Sequence, residues 1–401
     1  MSDHFRRASR IADVELSEIL IISEAAAEMK KAGRDIITLG TGEPDFPTPV
    51  PVIEAAHRAA LAGDTKYTAT VGTADLREAI AADCERANGY RPDLDQIIVC
   101  TGAKQVLFNA FFATLEPGDE VLVPAPYWTS YPDIIAVCNG RTVAMPTSSA
   151  TGFRITPDQL RAAITPQTRW LLLNSPSNPS GAVYSAADLQ ALAEVLRDAP
   201  HVGIVSDEIY QHICYVPFAS FRSVAPDLAD RMLIVNGVSK SFAMTGWRLG
   251  WGIGPKRLIG AMVAVQSQIT SGASSVSQAA AVAALNGDQQ LLAERCDDFR
   301  DRRDMVAAAL NATGLIRCGS ADGAFYLFPD CSGTFGKRTP DGTLIGADSD
   351  FCAALLQSEG VALVPGRAFG APGHFRLSYA YSRASLTEAC ARIARFCSSL
   401  R

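Results

Sequence analysis

In the run "NGVSKSFAMTGWRLGWGIG", Asn236–Gly254, Lys240 stands between Ser239 and Ser241, ahead of Phe-Ala-Met, with Arg248 eight residues on and Gly246, Gly250, Gly252 and Gly254 allowing a close backbone approach. A lysine after a strand is ordinarily a solvated surface charge. An amine enclosed by small and apolar neighbours is costly to bury unless it is used, and a lysine with a lowered pKa forms Schiff bases. Other polar residues could share such a site. Asp207 in "VSDEIY" ends an apolar run, where an Asp alone reads as a turn or cap. Arg376 in "HFRLSYA" carries a planar fork that matches a carboxylate, although a single strand arginine is usually an edge charge. Gly102, Ala103 and Lys104 in "TGAKQVLF" offer free backbone N–H groups at a helix start, where the dipole favours an anion. Trp128 in "PYW" supplies a flat face or a core aromatic, and Asn178, before Pro179, supplies an amide or a plain turn.

These residues need a scaffold, and from about Ile97 to Gly254 short Val/Ile/Leu-rich runs alternate with turns and longer amphipathic segments. The pattern predicts α/β, a mostly parallel sheet covered on both faces. The strand candidates are "IIVCTG", "EVLVPAP", "WLLLNSP", "VGIVSDE", "RMLIVNG" and "LGWGIG". Helix candidates include "AKQVLFNAFFATL", closed by Pro117-Gly118, and "SAADLQALAEVLRDA", opened by Ser185-x-x-Asp188. Such sheets bind ligands beyond the carboxyl ends of their strands, where Lys104, Trp128, Asn178, Asp207 and Lys240 all fall. After Gly287 a long surface helix, with Leu292, Cys296, Phe299, Val306 and Leu310 on its apolar side, leads into a smaller α+β unit with strands "AFYLF", "VALVPG" and "FRLSYA". The Gly-rich "DCSGTFGKRTPDGTLIGADSD" reads as a loop or lid. The boundaries expected are 1–48 for an N-terminal segment that packs with the small unit and the site, 49–288 for the large domain and 289–401 for the small one.

The totals exclude several classes. A chain of 401 residues, 48% hydrophobic and 19% charged, with net charge −6, has no footprint for a polyanion, so no nucleic-acid partner is expected. No apolar run approaches the roughly 18 residues of a spanning helix, and "MSDHFRRASR" precedes no apolar signal core, so no membrane partner and a cytoplasmic location are expected. The ten cysteines are scattered without a C-x-x-C, and the five histidines are dispersed, which reads as buried thiols and no metal site.

The segment "SKSFAMTGWRLG" resembles the lysine segment of class I (aspartate-aminotransferase-like) pyridoxal-phosphate enzymes, fold type I. "GTGEPDF", "TKYTATVGTADLREAI", "TGAKQVLFNAF", "PAPYWTSYP", "NSPSNPSGAVY", "SDEIYQHI" and "FRLSYA" are similar to family blocks in the same order, so the resemblance spans nearly the whole chain. It implies an aminotransferase with pyridoxal 5'-phosphate bound to Lys240, which would then move the proton between substrate and cofactor. Asp207 would pair with the pyridine nitrogen, Tyr210 and Asn178 with the phenolic oxygen, and Trp128 would stack on the ring. The phosphate would sit on Gly102, Ala103, Lys104, Ser239 and Arg248, with Tyr67 reaching it from the neighbouring subunit of a homodimer. Arg376 and the backbone of Gly42 would take the substrate α-carboxylate, with Trp128 and Asn178 also contacting substrate.

Two departures stand out. Gly237 occupies a place where many relatives carry a phosphate-holding serine, and Glu15 and Ile19 occupy places where acid-specific members carry a Lys and a Thr. Lys104, which in that subgroup reaches the distal acid, is kept. The substrates implied are therefore an L-amino acid and a 2-oxo acid, aspartate or glutamate with 2-oxoglutarate by default, with neutral, aromatic or amine-bearing side chains as the second reading. The rival on the same scaffold is a C–S or α,β-lyase, since Lys240, Asp207 and Arg376 would serve either. A fold-sharing transcriptional regulator is disfavoured by the mere forty or so residues before "GEPDF". A nicotinamide dehydrogenase is disfavoured because Gly250, Gly252 and Gly254 do not make G-x-G-x-x-G.

Overall fold

The structure, a computed structural model, describes residues 7–12, 14 and 16–401. Its strands in chain order are β1 (Ile37–Thr38), β2 (Ile97–Cys100), β3 (Glu120–Ala125), β4 (Arg141–Pro146), β5 (Thr168–Asn174), β6 (Gly203–Asp207), β7 (Met232–Gly237), β8 (Gly250–Ile253), β9 (Tyr326–Leu327), β10 (Val361–Ala362), β11 (Val364–Pro365) and β12 (Phe375–Ser378). Seven of them form one sheet in the order β2-β8-β7-β6-β5-β3-β4. All its neighbours are parallel except that β8 runs antiparallel to both β2 and β7.

Successive residues of a strand face opposite sides of a sheet, and here both sides are apolar. Leu171, Leu173, Ile204, Met232 and Ile234 enter one core, beside the helix Ala186–Arg197. Trp170, Leu172, Val205, Leu233 and Val235 enter the other, under the helices Ala103–Thr114 and Lys256–Ile269. That two-sided burial is why these strands read as unbroken apolar runs. β4 was not among the expected strands. It is the edge strand, mostly outside the cores, and "RTVAMP" carries no such run. The reversal of β8 also has a local cause: the stretch 238–249 that separates it from β7 forms only one 3-10 turn, at Thr245–Trp247, and no crossover helix of the kind that usually joins parallel neighbours.

A third core gathers Phe299, Phe351 and Phe396 from the helices Gln290–Asn311, Asp348–Glu359 and Arg383–Ser399, Phe375 and Leu377 from the antiparallel sheet β11-β12-β9, and Phe325 just before β9. The helix Glu18–Lys31 packs Ala26 against Leu356 and Ala362 beside the parallel pair β1-β10. Within 330–350, Ser332–Thr334 is a 3-10 turn, Arg338 bridges Leu344 and Asp348 already begins a helix. The segment is a loop with its own turns, and none of these residues lines the cavity described below. Among the described residues all ten cysteines are free, no helix is long and apolar enough to cross a membrane, and no group of His, Cys, Asp or Glu could hold a metal.

Candidate active site

Because β2, β3, β5, β6 and β7 run the same way, the turns that follow them meet at one edge of the sheet, where a cavity of about 410 Å³ opens. Ala103, Lys104, Trp128, Asn178, Asp207, Tyr210, Ser239, Lys240, Arg248, Arg376 and Gly42 all line it. Gly102 adjoins it with a left-handed φ of +88°, and a Cβ there would lie 2.8 Å from Arg248 Nη2. Tyr67 is elsewhere, 97% exposed in a groove of about 680 Å³ shared with Ser271–Ser275.

Lys240 and Arg376 rest on backbone oxygens. Lys240 Nζ donates to Gly42 O at 2.7 Å. Burial, aided by Arg376 and Arg248 and opposed by Glu43 and Asp207, lowers its pKa to about 8. Arg376 is fully buried, as its strand explains: Phe375 and Leu377 face the third core, so Arg376 takes the opposite face of β12, the middle strand of its sheet and not an edge. Its guanidinium donates from Nη1 to Asn178 Oδ1 at 2.9 Å and from Nη2 to Gly40 O, over the rings of Tyr326 and Phe369 at 4.7 and 4.9 Å. Lys104 Nζ lies 4.8 Å over the Trp128 ring, and desolvation together with Arg248 lowers its pKa.

Asp207 is buried, and desolvation lifts its carboxyl to about 6 against the opposing hydrogen bonds from Tyr131 Oη at 2.7 Å and Ile209 N at 3.2 Å. Tyr210 Oη meets Tyr326 Oη at 2.9 Å. Gly237 has a packing reason: a Cβ there would meet Leu249 O at 2.9 Å and Gly250 Cα at 3.0 Å, so β8 excludes any side chain.

Residues 40–48 form a strap across the opening. Besides the contacts to Lys240 and Arg376, Thr245 donates to Glu43, Thr48 Oγ1 donates to Ala243 O at 2.8 Å, and Trp247 Nε1 donates to Thr48 at 3.0 Å. From the other side, the helix Gln290–Asn311 sends Arg302 to Asp45 and Arg295 to Pro47 O, both at 2.8 Å. Gly42 must be glycine, since a Cβ would lie 2.4 Å from Tyr326 Oη.

Sequence reasoning missed Tyr131, Tyr326, Asn174, Glu43 and Thr245, all of which line the cavity. Tyr131 was within reach, because it stands three residues after Trp128 in the first turn of the helix Ser130–Val137. Ile19 lines the cavity with Ser17 and Leu20, while Glu15 lies outside the described residues.

The donor set fits pyridoxal phosphate. Among the described residues the backbone N–H groups of Ala103 and Lys104 have no protein acceptor, and they stand where Gly102 has no Cβ and Arg248 brings a cation. A buried carboxylate, a lysine of lowered pKa and an indole face share the same space. A family model described as aminotransferase class I and II matches residues 34–393. The aspartate aminotransferase of Rhizobium meliloti strain 1021 is 54% identical, covering 99% of this chain and 97% of that protein. A probable aspartate/prephenate aminotransferase of Rhizobium leguminosarum bv. phaseoli is 48% identical, covering 98% and 99%. The crystal structure of the Rhizobium meliloti aspartate aminotransferase superposes with a TM-score of 0.97 at 53% identity, over 99% of this chain and 100% of that one. That of Thermus thermophilus with maleate gives 0.90 at 40% identity, over 98% and 100%.

Proposed function

Since the chain belongs to the class I and II aminotransferases and moves amino groups from an amino acid to a 2-oxo acid with pyridoxal phosphate, we propose that its cavity is built for a dicarboxylic pair, aspartate or glutamate with 2-oxoglutarate. The relatives' names do not favour the lyase alternative. When bound, the cofactor supplies an electron sink for the pair released at the substrate α-carbon. In this reading Asp207 takes the ring nitrogen's N–H. Tyr210 Oη and Asn178 Nδ2 donate to the phenolic oxygen, the amide oxygen of Asn178 being occupied by Arg376. Arg248, Ser239 and the N–H groups of Ala103 and Lys104 hold the phosphate beside Gly102, while Trp128 covers the ring. Arg376 grips the α-carboxylate, with the Gly42 backbone beside it. Lys240 removes and returns the proton at the α-carbon, and a pKa of about 8 leaves both its forms accessible near neutrality.

The observation that supports the dicarboxylic reading is Lys104. With Lys240, Arg248 and Arg376 assigned, it is the one cationic side chain left among the described residues lining the cavity. Lys104→Met is expected to lower kcat/KM for aspartate by about 10- to 150-fold, the worth of a hydrogen bond to a charged group, and to leave alanine nearly unchanged. An equal loss for both amino acids would reject the assignment. Ile19 and Leu20 favour a second reading, an apolar wall that also admits a ring-bearing acid, which phenylalanine in the same assay tests.

The reading includes a homodimer in which Tyr67, so exposed here, reaches the partner's phosphate site. Mixing Tyr67→Ala with Lys240→Ala should then restore activity in hybrid dimers, and no restoration would reject shared sites. Domain limits near residues 48 and 288, and the cytoplasm as a reducing compartment suited to free thiols, belong to the same proposal.

A further inference from the structure

We propose that Tyr131 is a positioning residue for amino transfer: its hydroxyl holds Asp207 as the carboxylate that keeps a proton on the cofactor's ring nitrogen, and its ring holds Trp128 across the same space. The inference rests on the assignment of Asp207 to that nitrogen. Tyr131 is 1% exposed, and its hydroxyl donates to Asp207 Oδ2 at 2.7 Å. The backbone of Asp207 is fixed separately, its carbonyl accepting from Asn174 Nδ2 at 3.0 Å and Ser175 N at 3.1 Å. The direction of the carboxylate is therefore left to Tyr131 and to Ile209 N. On its other side the Tyr131 ring meets Trp128 edge to face, centroids 5.3 Å apart at 86°.

A neutral donor suits this place. A buried carboxylate tends to take up a proton, and a hydrogen bond to its charged form opposes that. A cationic donor would do the same but would repel a protonated ring nitrogen. The charged and titratable groups around the Asp207 carboxylate are Tyr131 from its helix, Tyr210 and Glu208 from its own segment, and Lys240 from the turn after β7. Glu208 faces away, accepting from Ser206 Oγ, Ser220 Oγ and Phe221 N. The balance involves one proton shared by the ring nitrogen and Asp207. Without the phenol the carboxylate becomes the stronger base, and the proton moves from nitrogen to oxygen with none gained or lost.

The test uses holoenzyme loaded with pyridoxal phosphate labelled with 15N in the ring, together with the dissociation constant of the cofactor for apoenzyme. Tyr131→Phe is expected to move the 15N resonance toward that of the unprotonated ring and to weaken cofactor binding by about tenfold, the loss of one hydrogen bond to a charged group. In an Asp207→Asn background the same change should alter affinity less than about twofold, because its route is gone. Tyr131→Leu, which removes the ring as well, should weaken binding further in both backgrounds. An unchanged resonance in Tyr131→Phe, or an equal loss of affinity with and without Asp207, would overturn the role given to the hydroxyl. Equal affinities for the Phe and Leu variants would overturn the role given to the ring. If Asp207→Asn itself left the resonance unchanged, the Asp207 assignment would fail and the inference with it.

Discussion

Replacing Arg376 by lysine separates charge from shape at the position assigned to the α-carboxylate. The guanidinium is fully buried, and its place is fixed by Asn178, Gly40 and the rings of Tyr326 and Phe369. Lysine keeps one positive charge but presents a point instead of a fork, so about one hydrogen bond to a carboxylate is lost. Such a bond contributes about 1.5–3 kcal/mol, which corresponds to about 10- to 150-fold in kcat/KM at about 1.4 kcal/mol per decade. The assay is the half-reaction with a single amino acid, followed by the loss of the visible absorbance of the lysine-bound cofactor. Since every amino acid carries the α-carboxylate, aspartate and alanine should fall together, unlike the selective loss expected for Lys104→Met. A change below about threefold for both, with cofactor content unaltered, would refute the assignment of Arg376. A loss confined to aspartate would place Arg376 on the distal carboxylate instead.

Further outcomes follow from the same geometry. The neutral amine is the form that attacks the cofactor, and burial lowers the Lys240 pKa to about 8, so the rate of cofactor capture by apoenzyme should rise with pH through a midpoint near 8. A midpoint near the ordinary lysine value would show an amine that is not desolvated, and Lys240→Ala should show only the absorbance of the free aldehyde and no aldimine band at any pH. Gly102→Ala combines a left-handed backbone with a Cβ 2.8 Å from Arg248. It should weaken pyridoxal phosphate by about 1–3 kcal/mol while leaving unphosphorylated pyridoxal unaffected, as competition binding would show. Gly250→Ala would place a Cβ 2.4 Å from Ala103 N, backbone that cannot swing aside. Overpacking of about 1–3 kcal/mol should appear as a lower urea midpoint, and an unchanged midpoint would show that β8 has room to move.

The sheet and most of its ligand edge were legible because each central strand is apolar on both faces, so the first polar residue after each run marks a strand end. Lys104, Trp128, Asn178, Asp207 and Lys240 were found in that way, and they line one cavity. Strand β4 was not, because an edge strand needs no continuous apolar run. The direction of β8 was not either, since direction depends on whether the connection forms a crossover helix and not on the strand's own side-chain pattern. Tyr131 and Tyr326 escaped for a different reason. Their partners, Asp207 and Tyr210, lie 76 and 116 residues away in the chain, and the one local signal is the spacing of Tyr131 from Trp128; Tyr326 has none that separates it from core aromatics. Arg376 was singled out by its planar fork in an otherwise apolar strand, and the alternation of "FRLS" adds that it turns its back on Phe375 and Leu377.

The strap at residues 40–48 bears on how specificity can be re-engineered. The wall residues Ile19 and Leu20 invite exchange of the N-terminal segment between relatives. A swap that runs as far as Thr48, however, would also carry over the carbonyl oxygens of Gly40 and Gly42 on which Arg376 and Lys240 rest, and the Asp45 that a distant helix grips through Arg302. A chimaera joined between the helix that ends at Lys31 and β1 would change the wall and the helix that packs on Leu356 and Ala362, yet leave both cations on their native supports.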